Sequence, residues 1–239
     1  MPDLVVIVPS RGRPAAIAPL TESFRITDTA ETELRIVVDH DDPTLDDYSR
    51  EVGQQPPWVT LVVVPGGTLV KALNEAAVPL VSTPGAPFAV GFLGDDHRPR
   101  TVGWDTAYLT ALHEMGTGIV YGDDLLQGDF VPTQCAMTSD IIRTLGWMAP
   151  PTLRHMYVDT LWRDLGRRAG CLRYLPEIIV EHMHYLNNKS PEDEGYKRVN
   201  DPQVYADDEK AFLTIHGPGT GDSEFRRAVT AVKQLRGTP

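Results

Sequence analysis

Apolar residues in this chain gather into short runs free of acids, and glycine, proline and clustered acids punctuate them. Residues 4–8 (LVVIV), 34–38 (LRIVV) and 59–64 (VTLVVV) are β-branched runs of strand length. Residues 88–93 (FAVGFL) carry no charge and lie between Pro87 and Pro99, the pattern of a strand buried on both faces. Residues 119–121 and 130–137 read as further strands, and 172–175 and 178–180 are strand-like. Helical patterns fill the gaps over 15–25, 69–77, 104–114, 139–146 and 160–169, the last with Leu161, Trp162 and Leu165 on one face. This alternation predicts an α/β fold, a mostly parallel central sheet flanked by helices. Residues 187–209 break the pattern, being polar with few large apolar residues, and predict an active-site lid or a disordered stretch. A terminal helix is expected over 225–235, with Phe225, Val229, Val232 and Leu235 on one face. Residues 1–186 are therefore expected to form one Rossmann-like domain, and 187–239 a flexible lid segment and C-terminal helix.

The chemistry collects where strands end. In open α/β sheets the ligand lies beyond the carboxyl ends of the strands. The run 88–93 stops at Gly94-Asp95-Asp96-His97, the run 34–38 at Asp39-His40-Asp41-Asp42, and the run 119–121 at Gly122-Asp123-Asp124. Adjacent carboxylates repel each other, and a divalent cation relieves that repulsion. Oxygen ligands beside an imidazole suit Mg²⁺ or Mn²⁺. The competing reading of Asp95-Asp96 is a solvated turn. Asp41 and Asp42, before Pro43, better suit a turn and helix start. Arg11 and Arg13, in the turn Pro9-Ser10-Arg11-Gly12-Arg13-Pro14, suit a phosphate or nucleotide base, or are an exposed pair. Gly66-Gly67 before a helix offers N–H groups to an anion, and Lys71 and Asn74 share a face of that helix. The P-loop spacing is absent, and no G-x-G-x-x-G follows the first run, which disfavours a dinucleotide dehydrogenase.

Composition narrows the class. The 239 residues are 41% hydrophobic, enough for a sizeable core, and the formal charge of -11 argues against a general nucleic-acid binder. Cys135 and Cys171 have neither metal-type spacing nor a disulfide framework. No apolar run approaches the roughly 20 residues that span a bilayer, and Met1-Pro2-Asp3 leads into a strand without a basic leader. The expectation is a soluble, cytoplasmic protein without membrane contact.

In order and spacing these pieces resemble GT-A glycosyltransferases of the inverting family 2 type, especially their short phage-encoded relatives. The resemblance runs from about Leu4 to Tyr185. VIVPSRGRP is similar to that family's first strand and turn, RIVVDHDDP to its second strand, and GGTLVKALNEAA to its glycine turn and helix. FLGDDHRP is similar to the strand ending in the DxD-type metal motif, YVDTLWRDLGRRAG to the helix that starts at the catalytic acid, and EIIVEHMHY to the late strand whose histidine completes the metal site. The chain departs from the pattern with Gly-Asp-Asp for Asp-x-Asp, Leu73 for an arginine, and Val158 for the first acid of a pair.

The resemblance implies a metal-dependent transfer of a sugar from a nucleoside-diphosphate sugar, a UDP-sugar first, to an acceptor hydroxyl. It implies Asp159 as general base, a position equally suited to helix capping. It places Pro9, Ser10, Arg11, Arg13, Asp39, Lys71, Asn74 and Asp95 at the donor nucleotide. It gives Mn²⁺ or Mg²⁺ to Asp96 with His182 or His184, of which one is expected to face the pocket. The acceptor (protein, modified nucleic acid or glycan) and the oligomeric state stay open, and the compartment would be the host cytoplasm for a phage protein. Two other readings are a nucleotidyltransferase, whose Gly-rich basic loop PSRGRP matches poorly, and a binding module without turnover, favoured by Val158.

Overall fold

The computed structural model describes residues 2–217 and 223–237; residues 1, 218–222 and 238–239, part of the expected first domain and lid segment, lie outside it. The strands are β1 (Leu4–Pro9), β2 (Thr32–Asp39), β3 (Val59–Val64), β4 (Ala89–Phe92), β5 (His97–Pro99), β6 (Ile119–Asp123), β7 (Cys135–Thr138) and β8 (Leu172–His182). The helices are α1 (Ile17–Thr27), α2 (Leu45–Val52), α3 (Leu69–Val81), α4 (Trp104–Met115), α5 (Ser139–Leu145), α6 (Val158–Ala169), α7 (Glu194–Val199), α8 (Pro202–His216) and α9 (Glu224–Leu235).

The sheet is eight-stranded, in the order β3-β2-β1-β4-β7-β6-β8-β5. β3, β2, β1 and β4 are parallel, β7 is reversed, β6 and β8 resume the first direction, and β5 runs against β8. The expected mostly parallel α/β sheet is therefore present. Both its faces are covered, and β1 shows why its sequence does not alternate in polarity. Val5 and Ile7 pack on the side of α3, α5, α6 and α9, while Leu4, Val6 and Val8 pack on the side of α1, α2 and α4. A strand buried on both faces must be apolar at every position.

Several elements differ from the expectation. The residues expected as one strand over 130–137 form a strand only from Cys135, because Pro132 cannot donate to a ladder in a sheet interior. The two strand-like pieces around Pro176 are one strand, β8. A register shift carries the pairing from Gly122↔Leu175 to Asp123↔Ile179, so Pro176, Glu177 and Ile178 form a bulge. α2 was not expected, although Leu45, Tyr48 and Val52 keep helical spacing. The polar stretch 187–209 carries α7 and most of α8, while Ile215 of α8 and Phe225, Ala228 and Val232 of α9 join the same core as α6. On α9, Ala228 is buried and Leu235 is exposed, so the apolar face is rotated from the expected one. Among the described residues no helix is long and apolar enough to cross a membrane.

Candidate active site

The carboxyl ends of β1, β2 and β4 open onto one cavity of about 600 Å³, which α3, α6 and α7 wall in. Of the residues singled out in the sequence, Pro9, Ser10, Arg11, Arg13, Asp39, Asp95, Asp96, Asp159, His182 and His184 all line it. Lys71 and Asn74 do not. Lys71 is exposed on α3. The Asn74 amide is spent within the fold, its oxygen accepting from the Met148 and Ala149 N–H groups and its nitrogen donating to the Ala149 carbonyl. That clasp ties α3 to the loop before α6.

Asp39 stands at the end of β2 and accepts from Arg11 at 2.9 Å; Arg11 also reaches Asp41 at 2.6 Å. Gly66, at the end of β3, approaches Asp39 so closely that a Cβ there would fall 1.7 Å from Asp39 Oδ1. Only glycine fits, which accounts for part of the Gly66-Gly67 signal. Asp42 is structural. It accepts from the Gly12 N–H and from Thr44, so it shapes both turns.

Asp95 and Asp96 face different partners. Asp95 accepts from Ser10 Oγ at 2.5 Å and Arg13 at 3.1 Å. Burial, with the Asp96 charge added, pushes its pKa up to about 6. Burial opposes charge on Asp96 too, but His182 and His97 outweigh it and hold that carboxyl well below its ordinary range. His182 Nε2 is 3.3 Å from Asp96 Oδ2, and His97 Nδ1 is 3.4 Å from Oδ1. His97 and His182 are cross-strand partners on β5 and β8 and stack with centroids 4.1 Å apart. Burial works against protonating His182, yet Asp124 and Asp96 raise its pKa to about 9.

Asp96, His97 and His182 each offer a ligand atom within 4.8 Å of the others. Gly94 N–H donates to His97 Nδ1 at 3.0 Å, and the buried His97 Nε2 and His182 Nδ1 take no hydrogen bond from a described residue. His182 Nδ1 lies 3.8 Å from Asp124 Oδ2, while His182 Nε2 and His97 Nδ1 face Asp96, so one carboxylate and two imidazoles meet at one point. The residues therefore fit a divalent ion. A carboxylate with imidazoles favours Mn²⁺ over Mg²⁺, which keeps to oxygen. His97, noted in the sequence only as a neighbour of the acids, belongs to this cluster. Its clue was adjacency to Asp95-Asp96. His184, just beyond the last residue of β8, also lines the cavity, with its ring centroid 4.9 Å from that of His182, so both histidines face the pocket where one was expected to; positions two apart along an extended chain share a face.

Two contributors could not be read from the pattern. Tyr48 of α2 is buried, and its hydroxyl meets Ser10 Oγ at 2.6 Å and accepts from the Arg13 N–H at 2.9 Å. From α7 comes a clasp. Asp193 takes two bonds of 2.7 Å from Arg13, Tyr196 lies under the same guanidinium at 4.3 Å, and the Tyr196 hydroxyl donates to Asp96 at 2.7 Å.

Asp159 is in the first turn of α6, but the N-cap residue is Tyr157. Asp159 Oδ1 accepts from the Thr160 N–H at 2.6 Å, and its other oxygen takes no hydrogen bond from a described residue. Burial raises its pKa, with Thr160 opposing. Val158, in the place of a second acid, is buried in the core.

No protein-family model matches the chain, and no curated protein matches it in sequence. Solved structures do match. A mannosyltransferase from Pyrobaculum calidifontis, in complex with GDP-Man and Mn²⁺, superposes over 98% of this chain and 70% of its own, with TM-score 0.66 and 16% identity. S. aureus TarS residues 1–349, in complex with UDP-GlcNAc, superposes over 98% and 72%, with TM-score 0.62 and 12% identity. Glucosyl-3-phosphoglycerate synthase from Mycobacterium tuberculosis, in complex with Mg²⁺ and UDP, superposes over 100% and 80%, with TM-score 0.53 and 13% identity. The strand order, the cavity at the carboxyl ends and these superpositions agree: this chain has the GT-A fold of nucleotide-diphospho-sugar transferases.

Proposed function

We propose that this chain is a metal-dependent glycosyltransferase that moves a sugar from a nucleoside-diphosphate sugar, a UDP-sugar first, to an acceptor hydroxyl with inversion. One observation carries the reading. The Asp96-His97-His182 cluster and the single acid Asp159 line the same cavity as the Arg11-Asp39 pair at the end of β2. Asp39 and Arg11 suit the nucleoside. Arg13, whose charge Asp193 and Asp95 reinforce against burial, suits the diphosphate. Asp96, His97 and His182 would hold the cation, which supplies charge neutralisation to the leaving diphosphate. The acceptor oxygen forms its bond to the anomeric carbon as the bond to the phosphate oxygen breaks, and the hydroxyl proton passes to Asp159. A base whose pKa burial raises is better matched to that task near neutral pH. The ligands of the superposed structures, GDP-Man with Mn²⁺, UDP-GlcNAc, and UDP with Mg²⁺, support a donor of this class.

A thermal-shift panel of UDP, GDP, CDP, ADP and dTDP, each with Mn²⁺ and with EDTA, tests the reading. One nucleotide is expected to raise the melting temperature in Mn²⁺ only, and Asp96→Ala is expected to abolish that rise. A flat panel would sink the proposal. The buried Val158, where an acid was expected, favours a second reading as a binding module. In that case the shift occurs, but no free nucleoside diphosphate is released from the donor.

A further inference from the structure

The proposed reaction needs Asp159 held in a fixed direction, because misplacement of about 1 Å can cost 100-fold in rate. Yet the backbone just before it is irregular. Residues 154–157 line the cavity, and Tyr157 has φ 66, a conformation that strains a residue with a side chain. Such a turn persists only where its surroundings impose it.

The imposing group comes from α8. Asp208 is 1% exposed. Its Oδ1 accepts from the Arg154 N–H at 2.8 Å, and its Oδ2 accepts from the His155 N–H at 2.8 Å and the Met156 N–H at 2.7 Å. Three successive N–H groups thus converge on one carboxylate, an anion nest filled by the chain itself. Asp208 makes no ion pair with a described residue, so these N–H groups are what compensates its burial. From the opposite side, the Arg154 carbonyl accepts from the Val70 N–H of α3 at 3.1 Å. The Tyr157 ring stacks on Phe212 with centroids 5.0 Å apart and meets Tyr205 edge-on at 5.4 Å, both from α8. The turn into α6 is therefore gripped by α3 on one side and α8 on the other.

We propose that Asp208 is a positioning residue for Asp159: by clamping the N–H groups of residues 154–156 it imposes the Tyr157 turn, and so sets the direction of the Asp159 carboxylate. It touches no reacting atom. Its effect on turnover rests on the glycosyl-transfer reading above, whereas the clamp itself does not.

The test is Asp208→Asn, which keeps the shape but presents an amide nitrogen to at least one of the three donors. Hydrogen exchange of the 154–156 amides is expected to accelerate by about tenfold or more, with the β1 and β4 amides unchanged. With a competent donor, kcat is expected to fall by about 10- to 100-fold while the donor KM holds. The acid limb of kcat should move to lower pH, because water admitted beside Asp159 relieves the burial that raises its pKa. Unchanged exchange at 154–156 overturns the proposal. So does a loss of turnover that only follows the loss of folded protein, with the acid limb in place. If Asp208→Asn does not fold, Asp208→Glu keeps the charge at a longer reach. It is then expected to lower kcat at constant donor KM, and an unchanged kcat overturns the proposal. A wild-type protein without turnover would defeat the glycosyl-transfer reading, and the exchange measurement would still decide the clamp.

Discussion

Asp95 and Asp96 are adjacent, yet their surroundings push their pKa values apart, Asp95 up to about 6 and Asp96 well down. Asp95 is turned to Ser10 and Arg13, and Asp96 to two imidazoles. The first accepts from the Arg13 guanidinium; the second is the charged oxygen ligand proposed for the cation. This division answers what the Gly-Asp-Asp sequence left open, since adjacency carries no direction. Asp159 gives a prediction with two signs. Asp159→Asn should lower kcat by about 10²- to 10⁴-fold, with the metal-dependent nucleotide shift retained. It should also stabilise the fold. The folded pKa of Asp159 is raised, so its favourable contribution is complete below the unfolded value of about 3.9 and is lost as pH rises through the folded value. The variant's gain in melting temperature should therefore appear at neutral pH and vanish below about pH 4. A melting series from pH 3 to 8 checks it.

At the scale of elements, α7 is the piece most at odds with its sequence. A polar stretch with few apolar residues reads as an active-site lid or as disorder; α7 lines the cavity and is held by ion pairing, a cation–π contact and the single buried ring of Tyr196 rather than by an apolar stripe. Hydrophobic periodicity cannot register such docking. Asp193 places a carboxylate on Arg13, the seat proposed for the diphosphate. Asp193→Ala should therefore tighten nucleoside diphosphate binding by about three- to tenfold, because an internal competitor is removed. Calorimetric titration with Mn²⁺ present checks this, and weaker binding would instead make Asp193 part of the donor site. α2 escaped notice for a different reason. It is eight residues long, and its role rests on one hydroxyl, that of Tyr48.

For the whole molecule, the question is where the core ends. Ile215, Phe225, Ala228 and Val232 lie in the same core as Leu161, Trp162 and Leu165. A fragment of residues 1–186 would expose that apolar face of α6. It is expected to lose the cooperative melting transition of the full chain and to aggregate, measured by calorimetry and light scattering. A fragment that melts cooperatively would mean that 187–239 is an appendage after all.

Local chemistry determined much of this protein. All-apolar runs such as 4–8 had to be strands buried on both faces, and the acids that ended them had to lie at one edge of the sheet. That legibility extended to Arg11, Arg13, Asp39, Asp95, Asp96 and Asp159, all of which line the cavity. Tertiary structure alone decided which of these touch. Pairing β5 with β8 set His97 on His182, and with it the donor set proposed for the cation. Packing of α8 brought Asp208 onto the amides of residues 154–156, and packing of α3 withdrew Asn74 into the fold. A sequence pattern states the period at which a side chain recurs. Which distant N–H or imidazole fills its hydrogen bonds follows only from how the elements pack.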